Sequence, residues 1–114
     1  MDIEFVRMAC MNLPAVTEDV KWDNDLVFSV GGKMFCVVSL EPPFTCSFKV
    51  ADEDFEDISN QEGFIPAPYM ARAKWVQVIK PDQLNKKQWE ASINLSYELV
   101  KAKLTKKQRG ELGI

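Results

Sequence analysis

Apolar positions at the start of the chain recur at helical spacing. Ile3, Val6 and Cys10 share one stripe, with Phe5 and Met8 beside them. Asp2 stands where an N-cap accepts the first free amides. The pattern predicts a helix over about 3–12, stopped by Leu13-Pro14. Residues 17–24 are polar and lack a clear period, so a loop carrying Lys21-Trp22 is expected there.

The strongest local signal follows. Leu26 to Val30 and Lys33 to Leu40 are apolar-rich runs separated by Gly31-Gly32. Two central residues free to take positive φ mark a two-residue β-hairpin. Strict alternation from that turn sets Val30 against Lys33, Phe28 against Phe35 and Leu26 against Val37. A second turn over 41–44 leads to a strand over 45–50, with Leu40 against Thr45, Val37 against Phe48 and Phe35 against Val50. One face then carries Leu26, Phe28, Val30, Phe35, Val37, Cys46, Phe48 and Val50, and calls for a helical layer. The other carries Val27, Ser29, Met34, Cys36, Val38, Leu40, Thr45, Ser47 and Lys49. That mixed face reads as modest exposed aliphatics before it reads as a partner surface. In this register Cys36 and Cys46 project to opposite faces.

Asp52 is expected to cap a short acidic helix to about Asn60, with Phe55 and Ile58 inward and Glu53 and Asp54 favoured by the helix dipole. Ile65 to Met70 reads as an extended, proline-limited strand at an edge, and Lys74 to Ile79 as a further strand. Lys80-Pro81-Asp82 is a turn. Asn85 and Gln88 form a capping-box signature, with Leu84 and Trp89 as a staple. The helix they open presents Trp89, Ile93, Tyr97, Val100 and Leu104 on one stripe. Beyond it lies a basic run from Lys101 to Arg109, with Gly110 and Gly113 marking fraying. The sum is an α+β single domain over 1–114, α-β(3)-α-β(2)-α, an antiparallel sheet with helices packed on one face.

Composition narrows the chemistry. There is no histidine, and the three cysteines form no Cys-x-x-Cys pair. Ser-His-Asp and Cys-His catalysis are therefore excluded within the chain, and three scattered thiols make a poor metal site. Neither a Gly-x-Gly-x-x-Gly nor a Walker-type loop is present. No enzyme, no cofactor and no metal are expected. No apolar run approaches the ~20 residues of a membrane span, and the acidic start Met1-Asp2-Ile3-Glu4 is unlike a signal peptide. The expected setting is cytoplasmic, the expected state a monomer or weak dimer.

Charge is uneven. The net charge is −3, which by itself disfavours nucleic acid. Yet residues 1–71 hold four basic and thirteen acidic residues, a net −9, while residues 72–114 hold ten basic and four acidic, a net +6. In Ile65 to Val76, Arg72, Lys74 and Trp75 converge at a strand start. A guanidinium, an ammonium and an indole can bind phosphate and stack on a base, or they are a strand edge with one core tryptophan. Trp22 and Trp75 both fit core packing better than stacking.

Several short pieces occur in order: Leu13-Pro14 with Glu18 and Lys21-Trp22, Val30 to Phe35, Phe48-Lys49-Val50, Pro66-Ala67-Pro68-Tyr69, Lys74-Trp75-Val76, and Ser96 to Val100 with Lys103-Leu104. The set resembles the MmcQ/YjbR family of small bacterial proteins over almost the whole length. The resemblance implies the fold order given above, a likeness to type III secretion chaperones, and DNA binding by analogy with a double-wing domain. Many members carry a His-Met-Asn-Lys type stretch where this chain has Met70-Ala71-Arg72-Ala73. Only Lys74 and Trp75 transfer by position. The resulting candidate nucleic-acid-binding residues are Lys21, Lys33, Lys49, Arg72, Lys74 and Trp75, with the Gly31-Gly32 hairpin as a wing and duplex DNA held through phosphates. The alternative is a protein-interaction or chaperone-like module that uses the mixed sheet face.

Overall fold

The computed structural model describes residues 2–114. Asp2 caps helix α1 (Ile3–Met11), its carboxylate accepting from the Phe5 amide at 2.9 Å. Six strands follow: β1 (Val16–Lys21), β2 (Asp25–Val30), β3 (Lys33–Ser39), β4 (Cys46–Lys49), β5 (Phe64–Pro66) and β6 (Trp75–Val78). They form one antiparallel sheet in the order β1-β2-β3-β4-β6-β5. Helix α2 (Phe55–Ser59) packs on β5 and β6, and α3 (Lys86–Lys101) lies across β3 and β4 with α1 beside it. A final helix, α4 (Lys106–Leu112), closes the described chain.

The α+β class holds, with two elements more than the sequence pattern predicts. The expected loop over 17–24 is mostly strand β1, which pairs with β2 from Val16–Val30 to Lys21–Asp25. Its charged residues Glu18, Asp19 and Lys21 suit an exposed sheet edge, where they discourage pairing with another chain. The expected frayed tail is α4, opened by a reciprocal Thr105–Gln108 capping box of the same kind that Asn85 and Gln88 build on α3. The Ile65–Met70 strand shortens to Phe64–Pro66, at the edge. Asp52 does not cap: it begins a 3-10 turn that leads into α2, with no side-chain cap bond.

One irregularity changes the sheet. Val30 does face Lys33, but the register then shifts between Phe28 and Ser29, and Phe28 faces Cys36. Phe35 is the extra residue of a β-bulge, and beyond it the alternation of β3 is inverted. Cys36 and Val38 turn inward and are fully buried, while Val37 turns to the outer face. The β3–β4 pairing follows suit: Phe48 faces Cys36 and Cys46 faces Val38. The expected placing of Val37 in the core, and of Cys36 and Cys46 on opposite faces, is therefore corrected by one inserted residue. Ser96 of α3 serves the interrupted ladder. Its hydroxyl donates to the Phe35 carbonyl at 2.6 Å and accepts from the Lys49 amide at 2.9 Å, so two buried backbone groups are satisfied.

The bulge also brings the thiols together. Cys36 and Cys46 sulfurs lie 3.5 Å apart, and Cys10 of α1 belongs to the same buried cluster. All three are free and fully buried. The interaction with Cys36 raises the Cys10 and Cys46 thiols and lowers Cys36 itself, so it is full burial that shields all three from reagent. In native protein at neutral pH, none should react with an aromatic disulfide reagent on the minutes scale, and all three should react once the chain is unfolded. Prompt native labelling would show that the cluster opens.

Candidate nucleic-acid interface

The antiparallel order collects residues from distant parts of the chain. β3 begins, β4 ends and β6 begins at the same end of the sheet. Lys33, Lys49 and Trp75 therefore meet there, Lys49 and Trp75 as direct register partners. Arg72 sits on a 3-10 turn over Ala71–Ala73, and Lys74 ends that turn in the left-handed conformation at φ 65°. Lys103 joins them from the turn after α3. Together Lys33, Lys49, Arg72, Lys74 and Lys103 line one groove of about 410 Å³, with Asp52 as its single carboxylate.

Each cation is held differently. Lys49 is only 8% exposed, and its ammonium donates to the Ala73 carbonyl. Burial lowers its pKa, and repulsion from Lys103 and Lys74 lowers it further against the pull of Asp52. Like charges gathered this closely disfavour one another's charged form. The Lys74 ammonium lies over the Phe55 ring, 5.1 Å from its centroid, an arrangement that fixes the side chain without neutralising it. Lys33, Arg72 and Lys103 are exposed, and none is paired with a carboxylate among the described residues. The groove can therefore offer Lys33, Arg72, Lys74 and Lys103 to an anion, with Lys49 as a buried charge beneath.

Lys21 and Trp22 depart from their expected placing, and Trp75 takes the core position expected of it. Lys21 ends β1 at the opposite end of the sheet, across from Asp25, because β1 runs antiparallel to β2. It stands apart from the other five. Trp75 lines the groove but is 3% exposed, so its indole shapes the wall and offers little face for stacking. Trp22, by contrast, is no core residue: it is 63% exposed. Lys103 is not among the residues the sequence singles out, although it stands in the basic run 101–109.

Residues 11–99 match the family model described as YjbR. Among solved structures, the chain is similar to the Deinococcus radiodurans protein DR2400, described as carrying domain DUF419. That likeness has 27% identity and a TM-score of 0.88, over 98% of this chain and 88% of that one. It is also similar to a Pseudomonas syringae protein at 19% identity and a TM-score of 0.72, over 88% of this chain and 99% of that one. The second likeness is one of fold. No protein with a curated description matches.

Proposed function

The chain belongs to the YjbR family, and from that premise we propose that it is a binding module, not an enzyme, that grips the phosphate backbone of duplex DNA through Lys33, Arg72, Lys74 and Lys103. The observation that carries this reading is the gathering of five cations in one groove against a single carboxylate. The Gly31-Gly32 hairpin places Lys33 at its rim in the manner of a wing. Phosphate contacts confer affinity and orientation, not base choice, and among the described residues no helix presents an array of base-reading side chains to the groove. The lack of histidine and of a nucleotide-binding loop supports a binding role over a catalytic one. Three buried, unlinked thiols support a reducing, cytoplasmic setting. No helix among the described residues is long and apolar enough to cross a membrane.

Four phosphates neutralised would give a log–log salt slope of about −3.6 for duplex DNA. Affinity near physiological salt should be about micromolar or weaker, in the non-specific range, since most of the first 71 residues' charge is opposed to the backbone. Arg72→Ala with Lys74→Ala should weaken binding evenly across sequences and flatten the slope to about −1.8. Lys21→Ala should leave the slope unchanged. Fluorescence anisotropy with labelled duplexes over a salt series tests this. No binding at low salt, or full binding by the double variant, would reject the site and favour a protein partner.

A further inference from the structure

The sheet face turned away from the helices carries a second concavity that nucleic-acid binding leaves unused. It is a cleft of about 580 Å³, within the range of small-molecule sites. Its floor includes Met34 and Val37, the latter turned outward by the bulge in β3. Trp22 and Tyr69 stand at its rims, 63% and 106% exposed. Both hold left-handed backbone, at φ 52° and 65°, a costly conformation for bulky residues. The Tyr69 rim is fixed from below. Ala67 is 2% exposed, its amide donates to the Trp75 carbonyl at 3.0 Å, and the Met70 amide closes a turn on the Ala67 carbonyl at 3.1 Å.

The polar groups of the cleft separate into used and unused. Ser39 donates to the Glu41 carbonyl, and Gln77 donates to Ser47 at 3.3 Å. Asp25 is half-buried and is the only charged residue lining the cleft. Its carboxylate has no ion pair and no hydrogen bond among the described residues. Lys21 is its register partner on β1 but does not line the cleft or pair with it. Two exposed rings and an unpaired carboxylate over an apolar floor are complementary to an organic cation. A phosphate or carboxylate ligand would meet only Asp25. This cleft and the cationic groove thus select opposite charges.

We infer that the cleft binds a small organic cation, an ammonium group on an aromatic or aliphatic body. The ammonium lies toward Asp25, and the body rests on Met34 and Val37 between Trp22 and Tyr69.

The test is a two-dimensional NMR titration of the full chain with benzyltrimethylammonium, benzyl alcohol and phenylacetate. The Trp22 indole N–H and the Val37 and Gln77 amides report on the cleft, and the Arg72 and Lys103 amides on the groove. The cation should shift the cleft signals alone, with benzyl alcohol about tenfold weaker and phenylacetate weaker still. Asp25→Asn should cut affinity for the cation about five- to tenfold, and Trp22→Ala about threefold or more. Lys21→Ala should raise it, since it removes a nearby like charge. Each variant's spectrum reports whether the fold is kept, and Trp22 is exposed enough to be removed safely. Equal affinity for the cation and the alcohol, no effect of Asp25→Asn, shifts confined to the groove, or no shift at about 20 mM probe would each overturn the inference.

Discussion

Phe28→Ala is expected to destabilise the protein by about 3–5 kcal/mol, measured as a fall in denaturation midpoint at constant slope. Phe28 is fully buried on the inner face, with Cys36 opposite it on β3 and Glu18 on β1. It sits beside the bulge, so its ring fills the sheet where the ladder is interrupted. The surrounding groups have little freedom to close a cavity. Phe35 is locked edge-on to Tyr97, 5.4 Å between centroids, and the Tyr97 hydroxyl donates to the Pro14 carbonyl at 2.7 Å. A loss below about 1 kcal/mol would mean that the site collapses freely, and that this part of the sheet is not packed as described.

What could be read from the sequence was local. Caps act within four residues, so Asp2 and the Asn85–Gln88 box located α1 and α3 closely. The Gly31-Gly32 turn likewise fixed the pairing next to it. Error entered with the first non-local event. The bulge at Phe35 is set by how β3 meets β2 and α3, and Ser96, the residue that satisfies the freed carbonyl, lies 61 positions away. Nothing in residues 33–39 announces it. The price was a swapped assignment of Val37 with Cys36 and Val38, and hence of the thiols. Strand β1 was missed for a different reason: an edge strand buries little, so its apolar alternation is weak. Helix α4 carries a local signature too, Thr105 with Gln108 as on α3, beside the Gly110 and Gly113 that suggested fraying.

The groove was legible in kind and not in membership. The basic bias after residue 72 pointed to a positive surface that holds Arg72 and Lys74, and the candidates Lys33 and Lys49 from earlier in the chain join them there. Topology decided the rest. Antiparallel order put Lys21 at the far end of the sheet and brought Lys103 in from the end of α3. Of the open-face cleft only Met34, Thr45 and Ser47 were legible, as members of the mixed sheet face, because the rest exists only once β3 has inverted and the Pro66–Met70 segment has folded over the sheet.

Gly31→Ala should cost about 2–3 kcal/mol, and Gly32→Ala about 1. Both glycines have positive φ, 58° and 78°, as the two-residue hairpin requires, so both substitutions pay for left-handed backbone. They differ in what lies above. A Cβ on Gly32 meets nothing within 4 Å, whereas one on Gly31 would lie 2.7 and 2.8 Å from the two Leu104 methyls. Leu104 is 3% exposed and belongs to the core, so it cannot simply swing into solvent. A double-mutant cycle isolates the clash. Gly31→Ala with Leu104→Ala should cost about 1–2 kcal/mol less than the sum of the single changes, while Gly32→Ala with Leu104→Ala should be additive. The same contact has a functional consequence. Leu104 seats the hairpin tip against the end of α3, which is how Lys33 and Lys103 come to line one groove. Displacing Leu104 should therefore weaken DNA binding by Gly31→Ala under conditions where it remains folded, and leave binding by Gly32→Ala near wild type. Equal stability loss in the two single variants would show that the hairpin tip is not packed on Leu104.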